Sequence, residues 1–165
     1  MRHSPPAELR AELAACLDVP RWLDEVAARA PFDVLEDLLA VAREAANPLT
    51  PAEIDGALAA HPRIGERPRG EGTAQEFSRR EQEAADASDP VLAATIAAGN
   101  REYEARFGRV FLIRAAGRSC AGILRELGRR LLLDPDDERA EVGEQLREIA
   151  LLRISQLWDH QEART

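Results

Sequence analysis

Residues 134–157 read DPDDERAEVGEQLREIALLRISQL, and this stretch decides the fold. Asp134-Pro135 caps and opens a helix that runs to about Leu157, and Val142, Leu146, Ile149 and Leu157 recur on one face of it. One position on that apolar stripe is charged: Arg153 falls four residues after Ile149 and four before Leu157. A guanidinium on a core face needs a counter-charge, because burying it unpaired is expensive. The counter-charge is either a carboxylate such as Glu81 or an anionic ligand gripped bidentately. Spacing alone leaves both open.

Moving outward, the same helical signals repeat. Ser119 caps a helix bearing Ile123, Leu124, Leu127 and Leu131. Asp89-Pro90 starts another, with Leu92, Ile96, Gly99, Tyr103 and Phe107 on one face and Gly108 at its end. Between these two, Val110-Phe111-Leu112-Ile113 is a short apolar segment expected to be extended or irregular. Thr50-Pro51-Ala52-Glu53 is a capping box with Pro at the first helical position, opening a helix to about Ala60. Ser4 before Pro5-Pro6, then Pro20 and Pro31, open three more. These carry Leu9, Leu13 and Leu17; Trp22, Leu23 and Val26; and Val34, Leu35, Leu38, Leu39 and Ala42.

Composition agrees. Ala, Leu, Arg and Glu lose little rotamer freedom in a helix, and β-branched runs are almost absent. Aromatics make up only 4% of the chain, so the core must rest on Leu, Ala, Val and Ile. The expectation is an all-α, single-domain bundle spanning 1–165, with about eight helices and irregular active-site loops.

Charge and residue usage exclude several function classes. The 165 residues contain no Lys, which rules out a lysine Schiff base and with it internal-aldimine pyridoxal chemistry. A net charge of −8 argues against a nucleic-acid partner, which would call for a basic face. Cys16 and Cys120 are too few and too isolated for a metal cluster, and no metal is expected. No stretch has the length and apolarity of a membrane span, and no apolar leader opens the chain. A cytoplasmic location is the expectation. There is no nucleophile elbow, phosphate loop, dinucleotide fingerprint or zinc-protease motif.

Two interruptions carry the chemistry-bearing residues. From 61 to 72 the chain reads HPRIGERPRGEG, with two Pro, three Gly and five charges, and it reads as a surface loop. His61 stands at its head, followed by Pro62, which fixes the backbone. It is either a helix C-terminal histidine favoured by the macrodipole or a functional imidazole beside a loop. His3 and His160 lie near the termini and are weaker candidates. Thr73-Ala74-Gln75-Glu76 is a second capping box, opening a helix through Phe77, Glu81 and Ala84 to about Ala87. On it Ser78, Glu81 and Gln82 share one face. A hydroxyl, a carboxylate and a carboxamide together suit recognition of a polar heterocycle, though the same trio also suits a solvated helix face.

The order of these pieces is specific. His61-Pro62-Arg63-Ile64-Gly65, then Ser78-x-x-Glu81-Gln82, then Tyr103-x-x-x-Phe107-Gly108-x-x-Phe111-Leu112-Ile113, then Leu152-Arg153-Ile154 resembles the 2-oxo-4-hydroxy-4-carboxy-5-ureidoimidazoline (OHCU) decarboxylases. The resemblance runs from about Leu13 to Leu157. It implies an all-helical enzyme, free of metal and organic cofactor, that yields (S)-allantoin at the end of urate breakdown. It further implies His61 as catalytic histidine with Glu81 as its acidic companion. Pro62, Ser78 and Gln82 would line the substrate site, and Arg153 would grip an anionic or carbonyl group. Phe111, Leu112, Ile113 and Ala115 would supply backbone contacts. A small ureidoimidazoline carboxylate is the implied partner, with a homodimer as the assembly. One departure is visible: the family's F-G-x-P-F segment appears here as Phe107-Gly108-Arg109-Val110-Phe111. It keeps open a related enzyme acting on another ureido or imidazoline substrate. The reading from a different class is a non-catalytic helical ligand-binding module.

Overall fold

The computed structural model describes residues 4–59, 61, 64, 73, 76, 77 and 90–162. Among them there are seven helices and no strand. These are α1 (Pro6–Ala14), α2 (Pro20–Ala27), α3 (Leu35–Ala45), α4 (Pro51–Leu58), α5 (Pro90–Phe107), α6 (Cys120–Arg130) and α7 (Pro135–Glu162). Thr73, Glu76 and Phe77 are helical as well, while the rest of the helix expected after Thr73 lies outside the described residues.

Most starts fall where the sequence places them, because each has its own chemistry. At α4 the capping box is complete: Thr50 Oγ1 accepts from the Glu53 N–H at 3.3 Å, and the Thr50 N–H donates to Glu53 Oε2 at 2.8 Å. Arg21 holds the same carboxylate at 2.7 Å and keeps its pKa low, near 2. At α6 the Ser119 hydroxyl accepts from the Gly122 N–H at 3.2 Å.

Three boundaries differ from expectation. The third helix begins at Leu35, not at Pro31. Phe32 is buried, and the chain stays non-helical through Val34 to deliver that ring to the core. Proline's fixed φ suits a turn as well as a first helical residue. The last helix continues beyond Leu157 to Glu162, because Trp158 is buried and Gln161 Nε2 donates to Glu12 Oε1 of α1 at 2.7 Å. Finally, α4 ends at Leu58, short of Ala60.

The core has two parts. In the larger one α1 packs on α2, α2 on α3, and α7 lies against both α3 and α4. Trp22, Leu38, Val142, Leu146 and Ile154 fill it. The smaller core lies with the packed pair α5 and α6, filled by Ile96, Tyr103, Phe107, Ile123 and Leu127.

The segment 110–115 joins the two, and its side chains alternate as an extended chain requires. Val110 and Leu112 face the larger core; Phe111, Ile113 and Ala115 face the smaller. Its main chain is held by side chains from α6 and α7. Arg130 Nη1 of α6 donates to the Leu112 carbonyl at 2.6 Å, and the Arg114 N–H donates to Gln145 Oε1 of α7 at 3.0 Å. Among the described residues no helix is long and apolar enough to cross a membrane.

Candidate active site

The stripe argument for Arg153 is answered by burial: its side chain is 3% exposed on the inner face of α7. Three parts of the chain meet it there. Its Nη1 points to the Ala15 carbonyl at 3.5 Å, just past the end of α1. Its guanidinium carbon stands 5.7 Å from the centroid of the buried Phe77 ring, within cation–π range. Its charge also acts on His61.

His61 lies one turn beyond α4, with its N–H donating to the Leu58 carbonyl at 3.0 Å. A helix C-terminus by itself favours the imidazolium. Here the shift runs the other way. Burial, with the Arg153 charge adding to it, pushes the imidazole pKa down to about 4. His61 is therefore neutral at physiological pH, able to accept a proton at one ring nitrogen while donating from the other. The macrodipole reading of this residue does not account for that.

The loop that follows is not wholly at the surface. Ile64 is buried in the smaller core, and its carbonyl accepts from Asn100 Nδ2 of α5 at 2.9 Å. Of the other residues implied by the resemblance, Pro62, Ser78, Glu81 and Gln82 lie outside the described residues. Phe111, Leu112, Ile113 and Ala115 are all buried in the segment between the cores. The Leu112 and Ala115 carbonyls and the Arg114 N–H are already engaged by Arg130, Arg118 and Gln145.

A second buried polar assembly escaped the sequence reading. Glu138, in the first turn of α7, receives the Tyr103 hydroxyl and the Arg130 guanidinium. Arg109 Nη1 approaches its other oxygen at 3.4 Å. Arg130 also stacks over Phe111, 5.0 Å from the ring centroid. Burial and the neighbouring Glu138 carboxylate raise the Tyr103 pKa well above its ordinary value, even though Arg130 opposes them, so Tyr103 stays a donor. This assembly explains the departure at Arg109-Val110. The arginine has a specific acceptor on α7, and Val110 packs on the larger core. The signal that could have revealed it is Arg130 at helical spacing from Ile123 and Leu127, the same kind of charged residue on an apolar face as Arg153.

Comparison with known proteins converges on one family. The family model described as OHCU decarboxylase matches residues 2–155. A Mus musculus protein, 2-oxo-4-hydroxy-4-carboxy-5-ureidoimidazoline decarboxylase, is 33% identical over 133 residues, spanning 77% of this chain and 72% of that protein. A crystal structure of OHCU decarboxylase in the presence of (S)-allantoin superposes with a TM-score of 0.75 at 23% identity, covering 90% of this chain and 97% of that one. A crystal structure of (S)-allantoin synthase gives 0.66 at 18% identity, covering 93% of this chain and 50% of that one. The two structures share the fold.

Proposed function

Because the chain belongs to the OHCU decarboxylase family, we propose that it decarboxylates 2-oxo-4-hydroxy-4-carboxy-5-ureidoimidazoline to (S)-allantoin, with His61 as the proton-handling group. The observation that carries this reading is the neutral, half-buried imidazole of His61 acted on by the buried guanidinium of Arg153.

The chemistry asks little more of the protein. Breaking the bond to the carboxylate leaves an electron pair on the ring carbon, and the adjacent C=N group of this substrate can take it up. No cofactor sink is then needed. The enzyme has to hold the carboxylate out of the ring plane, polarise the neighbouring hydroxyl and return a proton to one face. A neutral imidazole can accept the hydroxyl proton, and Glu81 orients that imidazole. Arg153 supplies a fixed positive charge for the carboxylate or a ring carbonyl, and water excluded from the buried site strengthens that attraction. Ser78, Gln82 and Pro62 line the ring. Unengaged backbone groups of 111–115 complete the contacts, since the Leu112 and Ala115 carbonyls and the Arg114 N–H are held internally. The protein acts in the cytoplasm, as a homodimer that light scattering would register.

The test is a coupled assay in which urate oxidase and hydroxyisourate hydrolase generate the substrate in situ, followed by circular dichroism. Rapid appearance of (S)-allantoin is expected with the protein, against slow racemic product without it. An unchanged spontaneous rate and stereochemistry in the presence of folded protein would overturn the reading.

A further inference from the structure

Asn100 is a carboxamide on the apolar inner face of α5. It stands four residues after Ile96 and three before Tyr103, and it is 6% exposed. Its Nδ2 reaches across to the Ile64 carbonyl at 2.9 Å. Its Oδ1 is buried and accepts from no group among the described residues. An unpaired buried amide oxygen is costly, so an aliphatic side chain of similar size would suit this core better if packing were the only demand. Polar groups retained against stability concentrate where function needs them.

What the carboxamide holds is the chain that leaves His61. Ile64, three residues on, is fastened twice: its side chain is packed in the smaller core and its carbonyl is bonded to Asn100. On the other side, the His61 N–H is fixed to the last turn of α4. The imidazole thus hangs between two anchors, one on α4 and one on α5. Removing the second leaves only the α4 anchor.

We propose that Asn100 is a positioning residue for the decarboxylation, fixing the Ile64 carbonyl so that the His61 imidazole is held against Arg153. This rests on the reading of His61 as the proton-handling group. A displacement of about 1 Å in such a group is enough to cost on the order of a hundredfold in rate.

The test compares Asn100→Leu with Ile96→Val, which trims the same face of α5 but leaves the bond to the Ile64 carbonyl in place. Two readouts are taken on the purified full chain: steady-state constants in the coupled assay, and the titration of His61 followed by NMR without substrate. Asn100→Leu is expected to lower kcat by about tenfold or more, with KM changed much less. Its His61 midpoint is expected to rise from about 4 toward 6.5, because the loosened loop lets water reach the ring. Ile96→Val keeps the wild-type values of both. Should Asn100→Leu fail to fold, Asn100→Gln moves the donor out by one methylene and must show the same raised midpoint and lowered kcat. An unmoved His61 titration in a folded Asn100 variant overturns the proposal, whatever its activity. A wild-type chain inert in the assay, with the midpoint still moving in the variant, overturns the proposed reaction instead and leaves the anchor standing.

Discussion

The half-buried His61 imidazole is kept uncharged by its withdrawal from water and by the charge of the buried Arg153 guanidinium. Arg153 comes from the inner face of α7 and His61 from the turn after α4, two helices that pack on each other. Burial is the larger cause of that ionic state, and the Arg153 charge adds to it.

The pH dependence follows from that state. The acid limb of kcat/KM is expected near pH 4, not near the 6.5 of a free imidazole. Stability has a matching signature. The unfolded chain takes up a proton at His61 first as pH falls, so the stabilisation from this residue is complete above about 6.5 and is lost as pH falls through about 4. Urea denaturation of wild type and His61→Gln between pH 7.5 and 4 reads this directly, and the variant is expected to show the shallower decline.

His61→Asn tests the catalytic role itself. Turnover is expected to drop by at least about a hundredfold, the usual scale for a proton-transfer group. A near-normal rate in the folded variant would sink the assignment.

Arg153→Met separates charge from burial. The His61 midpoint is expected to rise but to stay below 6.5, because burial is the larger cause and survives the substitution. KM is expected to rise by about tenfold or more, the worth of one charge-assisted contact to the substrate. NMR titration and steady-state kinetics on the same preparation check both.

Glu138→Ala leaves Arg130 buried without its counter-charge. The loss is expected to be about 3–5 kcal/mol, with Tm lower by on the order of 10 °C. The double replacement Arg130→Met/Glu138→Leu is expected to recover much of it, since it removes both partners of the ion pair. Thermal and urea unfolding of the three proteins decide the matter.

Two glycines in neighbouring helices should respond with opposite signs. A Cβ at Gly128 meets open space on α6, so Gly128→Ala is expected to stabilise by about 0.5–1 kcal/mol. A Cβ at Gly99 would collide with Leu127 Cδ2, and Leu127 is itself buried between α5 and α6. Gly99→Ala is expected to destabilise by about 1–3 kcal/mol. Paired urea titrations check the contrast.

Four of the helices announced by caps are found in the structure, opening at Pro51, Pro90, Cys120 and Pro135. Pro31 misled because a proline also serves a turn, and only the burial of Phe32 distinguishes the two. Arg153 was legible because a charge on an apolar stripe is a local contradiction in the sequence. Asn100 and Arg130 present the same contradiction more quietly. What no helix pattern could show is that Arg130, Tyr103 and Arg109 converge on Glu138, or that Asn100 finds the Ile64 carbonyl. Those partners are far apart in the chain and are brought together only by the packing of α5, α6 and α7.

The alternating segment 110–115 carries a consequence for evolution and engineering. Each of its apolar residues belongs to one core or the other by the parity of its position. Deleting or inserting a single residue would reverse that parity for everything downstream of the change, sending Phe111-type side chains to the wrong side while cutting the tethers from Arg130 and Gln145. Length variation at this point is therefore forbidden in a way that substitution is not. The exposed glycine turn at Gly117, where φ is +78°, is the nearest place where the chain can absorb it.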